Sequence, residues 1–106
     1  MKTRIKKVLQ ELRSELESIY GTRLRQLVLF GSQARGDVAA ESDIDVLVVL
    51  DGAVTPGKEI ARTGGVVAAL SLKFDCVISC VFISADRYSS EQTSLLLNIR
   101  NEGVAI

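Results

Sequence analysis

Residues 27–49 read LVLFGSQARGDVAAESDIDVLVV, and the reading of this stretch decides the fold of the chain. An apolar run from Leu27 to Phe30 stops at Gly31-Ser32. Ten residues intervene before Asp43-Ile44-Asp45, and an apolar run resumes from Val46 to Leu50. The pattern predicts two strands flanking a polar loop, with about one helical turn starting at Ser32.

Side chains alternate faces along a strand, so Asp43 and Asp45 project from one face, roughly 6.5–7 Å apart along the backbone, while Ile44 and Val46 point the other way. Two carboxylates held that close repel each other, and a hard cation relieves the repulsion. Mg²⁺ suits the donors, because it binds through one or two carboxylates together with substrate phosphates. Gly31 fits the phosphate half of such a site. Without a Cβ it lets an anion approach the backbone N–H groups, which Ser32 can extend, and Arg35 adds a fork-shaped cation nearby.

Other motif readings fail on chemistry. Gly31 and Gly36 have the glycine spacing of a P-loop, but Asp37 and Val38 stand where that loop needs Lys and Ser or Thr. Ser32 as a hydrolytic nucleophile lacks the usual imidazole base, because the chain contains no histidine. The tripeptide Arg35-Gly36-Asp37 reads as part of the loop.

The chain has 106 residues, a length that predicts a single domain over 1–106 and burial of about 60–70% of the unfolded surface. Hydrophobic residues make up 47% and charged residues 25%, the composition of a globular protein rather than a disordered one. Lys plus Arg equal Asp plus Glu at 13 each, which argues against broad nucleic-acid binding. Lys2, Arg4, Lys6 and Lys7 form one local basic group, read first as a solvated helix end. Cys76 and Cys80 have neither zinc-ligand spacing nor a histidine beside them and read as core thiols. With no signal-like N-terminus and no run approaching ~18 apolar residues, a soluble protein of the cytoplasm is expected.

In chain order, Ile5, Val8, Leu9, Leu12, Leu16, Ile19 and Tyr20 recur at steps of three and four, predicting a helix over residues 3–20 with Thr3 as N-cap and Gly21 as stop. Strand 1 is expected over 24–30. Strand 2, over 44–50, is apolar on both faces after its acids and is therefore expected to be central. Thr55-Pro56 opens a second helix to about Leu70, with Gly64-Gly65 costing roughly 0.8–1 kcal/mol each relative to Ala, so that either the helix bends there or another backbone packs closely. Residues 72–83, LKFDCVISCVFI, have strand composition, with Phe74, Cys76 and Ile78 on one face and Asp75 with Val77 on the other. A carboxylate in such a run needs a partner or a metal. Ser89 with Gln92 reads as a capping box for a last helix ending at Gly103, with Leu95, Leu96 and Ile99 in the core.

The string GSQARG followed by SDIDVLVV resembles the signature of the DNA polymerase β-type nucleotidyltransferase superfamily, and in particular its minimal nucleotidyltransferase branch, small proteins often encoded beside HEPN-domain partners. The signature covers about fifteen residues, and the order of elements fits along nearly the whole chain. The resemblance implies an α/β (α+β) polymerase β-like nucleotidyltransferase fold, a small mixed sheet of at least three strands flanked by helices. It further implies that Asp43 and Asp45 hold a nucleotide-bound Mg²⁺ and that Asp75 joins them at a second ion as the third catalytic carboxylate. Gly31, Ser32, Arg35 and Ser42 would bind the nucleotide. ATP would be the substrate, and AMP would move onto a tyrosine of a HEPN-domain RNase toxin, making the pair antitoxin and toxin. Larger relatives carry a further helical domain, and the partner is expected to supply that wall; a homo-oligomer is also compatible. Two alternatives stay open: adenylylation of a small molecule of the aminoglycoside type, and a non-catalytic module that restrains its partner by docking.

Overall fold

The computed structural model describes residues 3–35 and 43–106, and for Ser32 and Arg35 the backbone alone. Helix α1 (Thr3–Tyr20) forms where the periodicity predicts it and buries Ile5, Val8, Leu9, Leu12, Leu16 and Tyr20. Gly21, at φ +56°, turns the chain through a short 3₁₀ segment (Gly21–Arg23) into β1 (Leu24–Phe30). One helical turn, α2 (Ser32–Arg35), follows Gly31. Then come β2 (Asp43–Leu50), α3 (Pro56–Phe74), β3 (Val77–Ser84), α4 (Ala85–Ser90), α5 (Ser94–Glu102) and β4 (Val104–Ala105).

The sheet has the order β3-β2-β1-β4. β1 runs antiparallel to β2 and to β4, whereas β2 and β3 are parallel. A parallel pair cannot be joined by a tight turn, and α3 supplies the crossover. β2 is central, as its doubly apolar pattern implies, and a fourth, two-residue strand joins the three expected.

Alternation along the strands gives two cores. Leu27, Leu29, Ile44, Val46, Val48, Leu50, Ile78 and Phe82 face α1 and Leu70 of α3. Val28, Leu47, Val49 and Ile83 face Leu96 and Ile99 of α5. Each fully buried Leu, Ile or Val contributes about 1.5–3 kcal/mol, so the denser first face dominates stability.

Several local expectations are corrected. The second helix does not stop near Leu70 but continues to Phe74, because Glu59, Thr63, Val67, Leu70 and Phe74 keep a helical period toward the core while Leu72 is 84% exposed. The third strand accordingly starts at Val77, not Leu72. Gly64 and Gly65 lie within the continuous helix, and a Cβ on either would meet nothing within 4 Å. The last helix is capped not by Ser89 with Gln92 but by Thr93, whose hydroxyl accepts from the Leu96 N–H at 3.3 Å. Of the three apolar residues assigned to its core face, Leu95 is instead 51% exposed.

Gly103 ends α5 where expected, and for a steric reason: a Cβ there would lie 2.4 Å from the Ile99 carbonyl oxygen and 2.6 Å from Val28. Arg4 does not point its charge away as a contact site; its guanidinium donates to the carbonyls of Phe74 and Asp75, tying the start of α1 to the end of α3. Cys76 is buried and Cys80 half-buried; burial raises the Cys76 thiol and pushes Cys80 up to about 11, so both are protonated at neutral pH. Among the described residues no helix is long and apolar enough to cross a membrane.

Candidate active site

β1 and β2 bring the two halves of the motif together. Phe30 is paired with Asp45, so the turn after β1 passes directly over the Asp45 side chain. Gly31 makes that turn at φ +74°, and a Cβ at this position would come within 2.5 Å of Asp45 Oδ2. Both the backbone angle and the space therefore demand glycine. The residue expected to admit an anion to the backbone is the one that roofs the carboxylate.

Asp43 is exposed and Asp45 half-buried, on the sheet face that continues as Leu47 and Val49. Burial, and after it the negative charge of Asp43, holds the Asp45 carboxyl above the usual carboxylate range. Between the acids, Ile44 points into the opposite core and is 0% exposed. Its burial fixes the strand and hence the spacing of the pair. The two acids form a hard-oxygen donor set, and a divalent cation fits that set.

Asp75 is not where a third ligand was expected. It caps α3 with φ 50° and ψ 56°, a left-handed conformation that Asp tolerates better than most residues. It borders a cavity with Ser71, Leu72, Cys76 and Val77, at the end of α3. Among the described residues no group of three His, Cys, Asp or Glu side chains could hold a metal ion. Among these residues the structure groups Asp43 with Asp45 and leaves Asp75 at the end of α3, outside that pair. Beside that pair, in register on β3, stand Val77 opposite Asp43 and Ser79 opposite Asp45. Ser42 lies outside the described residues, as do the side chains of Ser32 and Arg35.

A cavity of about 250 Å³ opens beside Gly31, lined by Phe30, Leu95, Asn98, Ile99 and Glu102. The sequence pattern does not single out the α5 polar groups beside it. The available signal is the spacing of Leu95, Asn98 and Glu102, which puts them on one face of α5 next to the buried pair Leu96 and Ile99.

Residues 5–94 match the family model described as nucleotidyltransferase domain. The chain belongs to the nucleotidyltransferase family. Two proteins of Methanocaldococcus jannaschii, both carrying the provisional name protein adenylyltransferase, resemble this nucleotidyltransferase over nearly their full length. One is 31% identical across 93% of this chain and 95% of its own, the other 33% identical across 92% of each. Among solved structures, a toxin-antitoxin with AMP-PNP aligns with a TM-score of 0.64 at 20% identity, over 91% of this chain and 69% of the other. The Shewanella oneidensis complex of a tri-AMPylated HEPN toxin with its MNT antitoxin aligns with a TM-score of 0.58 at 19% identity, over 96% and 67%. These structural likenesses show the shared nucleotidyltransferase fold, a mixed sheet flanked by helices.

Proposed function

We propose that this nucleotidyltransferase moves AMP from ATP onto a hydroxyl of a protein partner in the cytoplasm, with a tyrosine of a HEPN-domain RNase toxin as acceptor. The observation that carries the reading is the pair Asp43 and Asp45 lying under the Gly31 turn. The adenylyltransferase names of the two archaeal relatives and the fold shared with the HEPN-toxin antitoxin support it.

Asp43 and Asp45 would hold a Mg²⁺ ion, which when bound supplies charge neutralisation on the triphosphate and on the leaving pyrophosphate. The chain's own groups do the rest. Gly31 and Ser32 cradle the phosphates against backbone N–H groups, and Arg35 and Ser42 add polar contacts to the nucleotide. The acceptor oxygen attacks the α-phosphorus, the bond to the bridging oxygen of pyrophosphate breaks, and the hydroxyl proton passes to solvent. Asp45 is suited to hold the cation because burial, and after it the charge of Asp43, disfavours its ionised form, and a bound cation would offset both.

The test is intact-mass spectrometry of the HEPN-domain partner after incubation with this protein, ATP and Mg²⁺. Mass increments of one or more AMP units are expected, and Asp43→Asn with Asp45→Asn should reduce the rate at least 100-fold, the scale of losing a principal electrostatic contact to the transition state. Neutralisation of the toxin by the double variant without any mass gain would replace catalysis with docking.

A further inference from the structure

The two outer strands end the sheet in different ways. β4 is two residues long and offers little to pair with. β3 runs for eight residues, Val77–Ser84, in unbroken register with β2, and among the described residues no strand pairs with its outer side. Its sequence, VISCVFIS, carries no charge and no proline. Lysine, proline and bulges are the usual devices that keep an outer strand from pairing with another chain, and β3 has none of them.

Apolar surface flanks this edge on both faces. Val77 and Val81 are exposed on the face that carries the acids, and Ile60 of α3 is exposed on the other. Between α3 and β3 opens a groove of about 370 Å³, with Ile60, Gly64, Val67, Ala68, Cys80 and Phe82 in its wall. A Cβ on Gly64 would meet nothing within 4 Å, so the groove is open at that point. At ~3.3 Å per residue the edge is about 26 Å long. With the molecule's smallest extent, 20 Å, taken as its depth, the contact amounts to about 500 Å² per copy, or roughly 1,000 Å² in all, the size at which specific interfaces begin.

We infer that β3 is the contact of a homodimer, in which the strand pairs antiparallel with β3 of a second copy and joins two four-stranded sheets into one of eight. The charge pattern selects a second copy as the occupant. Under a two-fold axis the strand faces itself, so a charge near its middle would meet the same charge on the copy, and Val77–Ser84 holds none. A partner of different sequence imposes no such condition. A two-fold axis normal to the sheet keeps every side chain on its own face, so it passes through one residue rather than between two. Near-complete overlap of the strands places it at Cys80 or Val81. The two acid pairs then open on the same face, three strand spacings or about 15 Å apart across the sheet. The inference stands apart from the transfer reaction and adds that its sites come in pairs facing one way.

The test is light scattering after size exclusion, run on the full chain without nucleotide over a concentration series. The wild type is expected at about twice the 11.5 kDa of one chain. Val77→Lys and Val81→Lys, both at exposed positions, put like charges at the contact and are expected to give the monomer mass. Val104→Lys, on the opposite edge, should leave the dimer intact. Circular dichroism equal to wild type shows the variants folded, and amide hydrogen exchange over residues 77–84 should quicken several-fold in Val81→Lys as the outward N–H groups lose their partners. A wild type at monomer mass throughout, or a dimer that survives both β3 variants, would overturn the inference. A monomer that binds a HEPN-domain partner and loses it on Val81→Lys would overturn it in favour of that partner at the edge. AMP transfer by a monomeric wild type would leave the proposed function standing without the dimer.

Discussion

The two faces of the sheet differ in how completely they are covered, and β2 shows it within one strand. Ile44, Val46, Val48 and Leu50 are each 0% exposed under α1 and α3. On the other face Leu47 and Val49 are buried under α4 and α5, but Asp43 is exposed and Asp45 half-buried. On β3 the same open face carries Val77 at 54% and Val81 at 40% exposure. A fully packed face holds the strand rigid, and the half-covered face can then keep two like charges side by side. Stability and chemistry are divided between alternate residues.

The sharpest test of that division is to substitute neighbours. Ile44→Ala removes a side chain with no room for its surroundings to collapse and should cost about 2–5 kcal/mol, seen as a lower denaturant midpoint. If Ile44→Ala costs no more than an exposed substitution, the packed face is not what fixes the acids.

A smaller effect is expected from Tyr20→Phe, also on the packed side. The Tyr20 hydroxyl donates to Glu59 Oε1 at 2.7 Å, and Glu59 is 4% exposed with Arg62 at 3.5 Å. Burial, then the bond to Glu59, raises the phenol well above its ordinary range, so it stays a neutral donor. Phe would leave a buried carboxylate without that donor, and unfolding should become easier by about 1–3 kcal/mol. A stability equal to wild type would show that water or Arg62 replaces the bond.

Smaller again is Gly64→Ala. The position is helical and a Cβ there meets nothing within 4 Å, so the helix should gain about 0.5–1 kcal/mol, read as a raised Tm. A loss would mean that the packing of α3 on β3 needs the glycine.

How much of this was legible in the sequence follows the same physics. Strand β1 and helix α1 stand where their apolar periods put them, and the pair Asp43 and Asp45 shares a face because strand alternation requires it. Asp75 was misplaced because Leu72 and Phe74 have strand-like composition, whereas the period running from Glu59 through Leu70 to Phe74 belonged to α3. The Tyr20 to Glu59 bond and the approach of Asn98 to Gly31 join residues far apart in the chain, and no local pattern announces them. The cap at Thr93 rather than Ser89 depends on where the chain leaves α4, which tertiary packing decides.

The raised Asp45 carboxyl gives a direct measure of the open face. In the ligand-free protein its ionisation opposes folding, so stability is greatest while Asp45 is protonated and falls as pH rises from the ordinary carboxylate range through its raised value. Asp45→Asn should lack that fall. Thermal unfolding at neutral pH of wild type and Asp45→Asn, each with and without Mg·ATP, puts the whole account at stake. The ligand-free variant should melt higher than the wild type. Mg·ATP should raise the wild-type Tm and leave the variant unmoved. A variant that melts at or below wild type and still rises with Mg·ATP would contradict the claim that this carboxylate is held at a cost to stability in order to bind the nucleotide's cation.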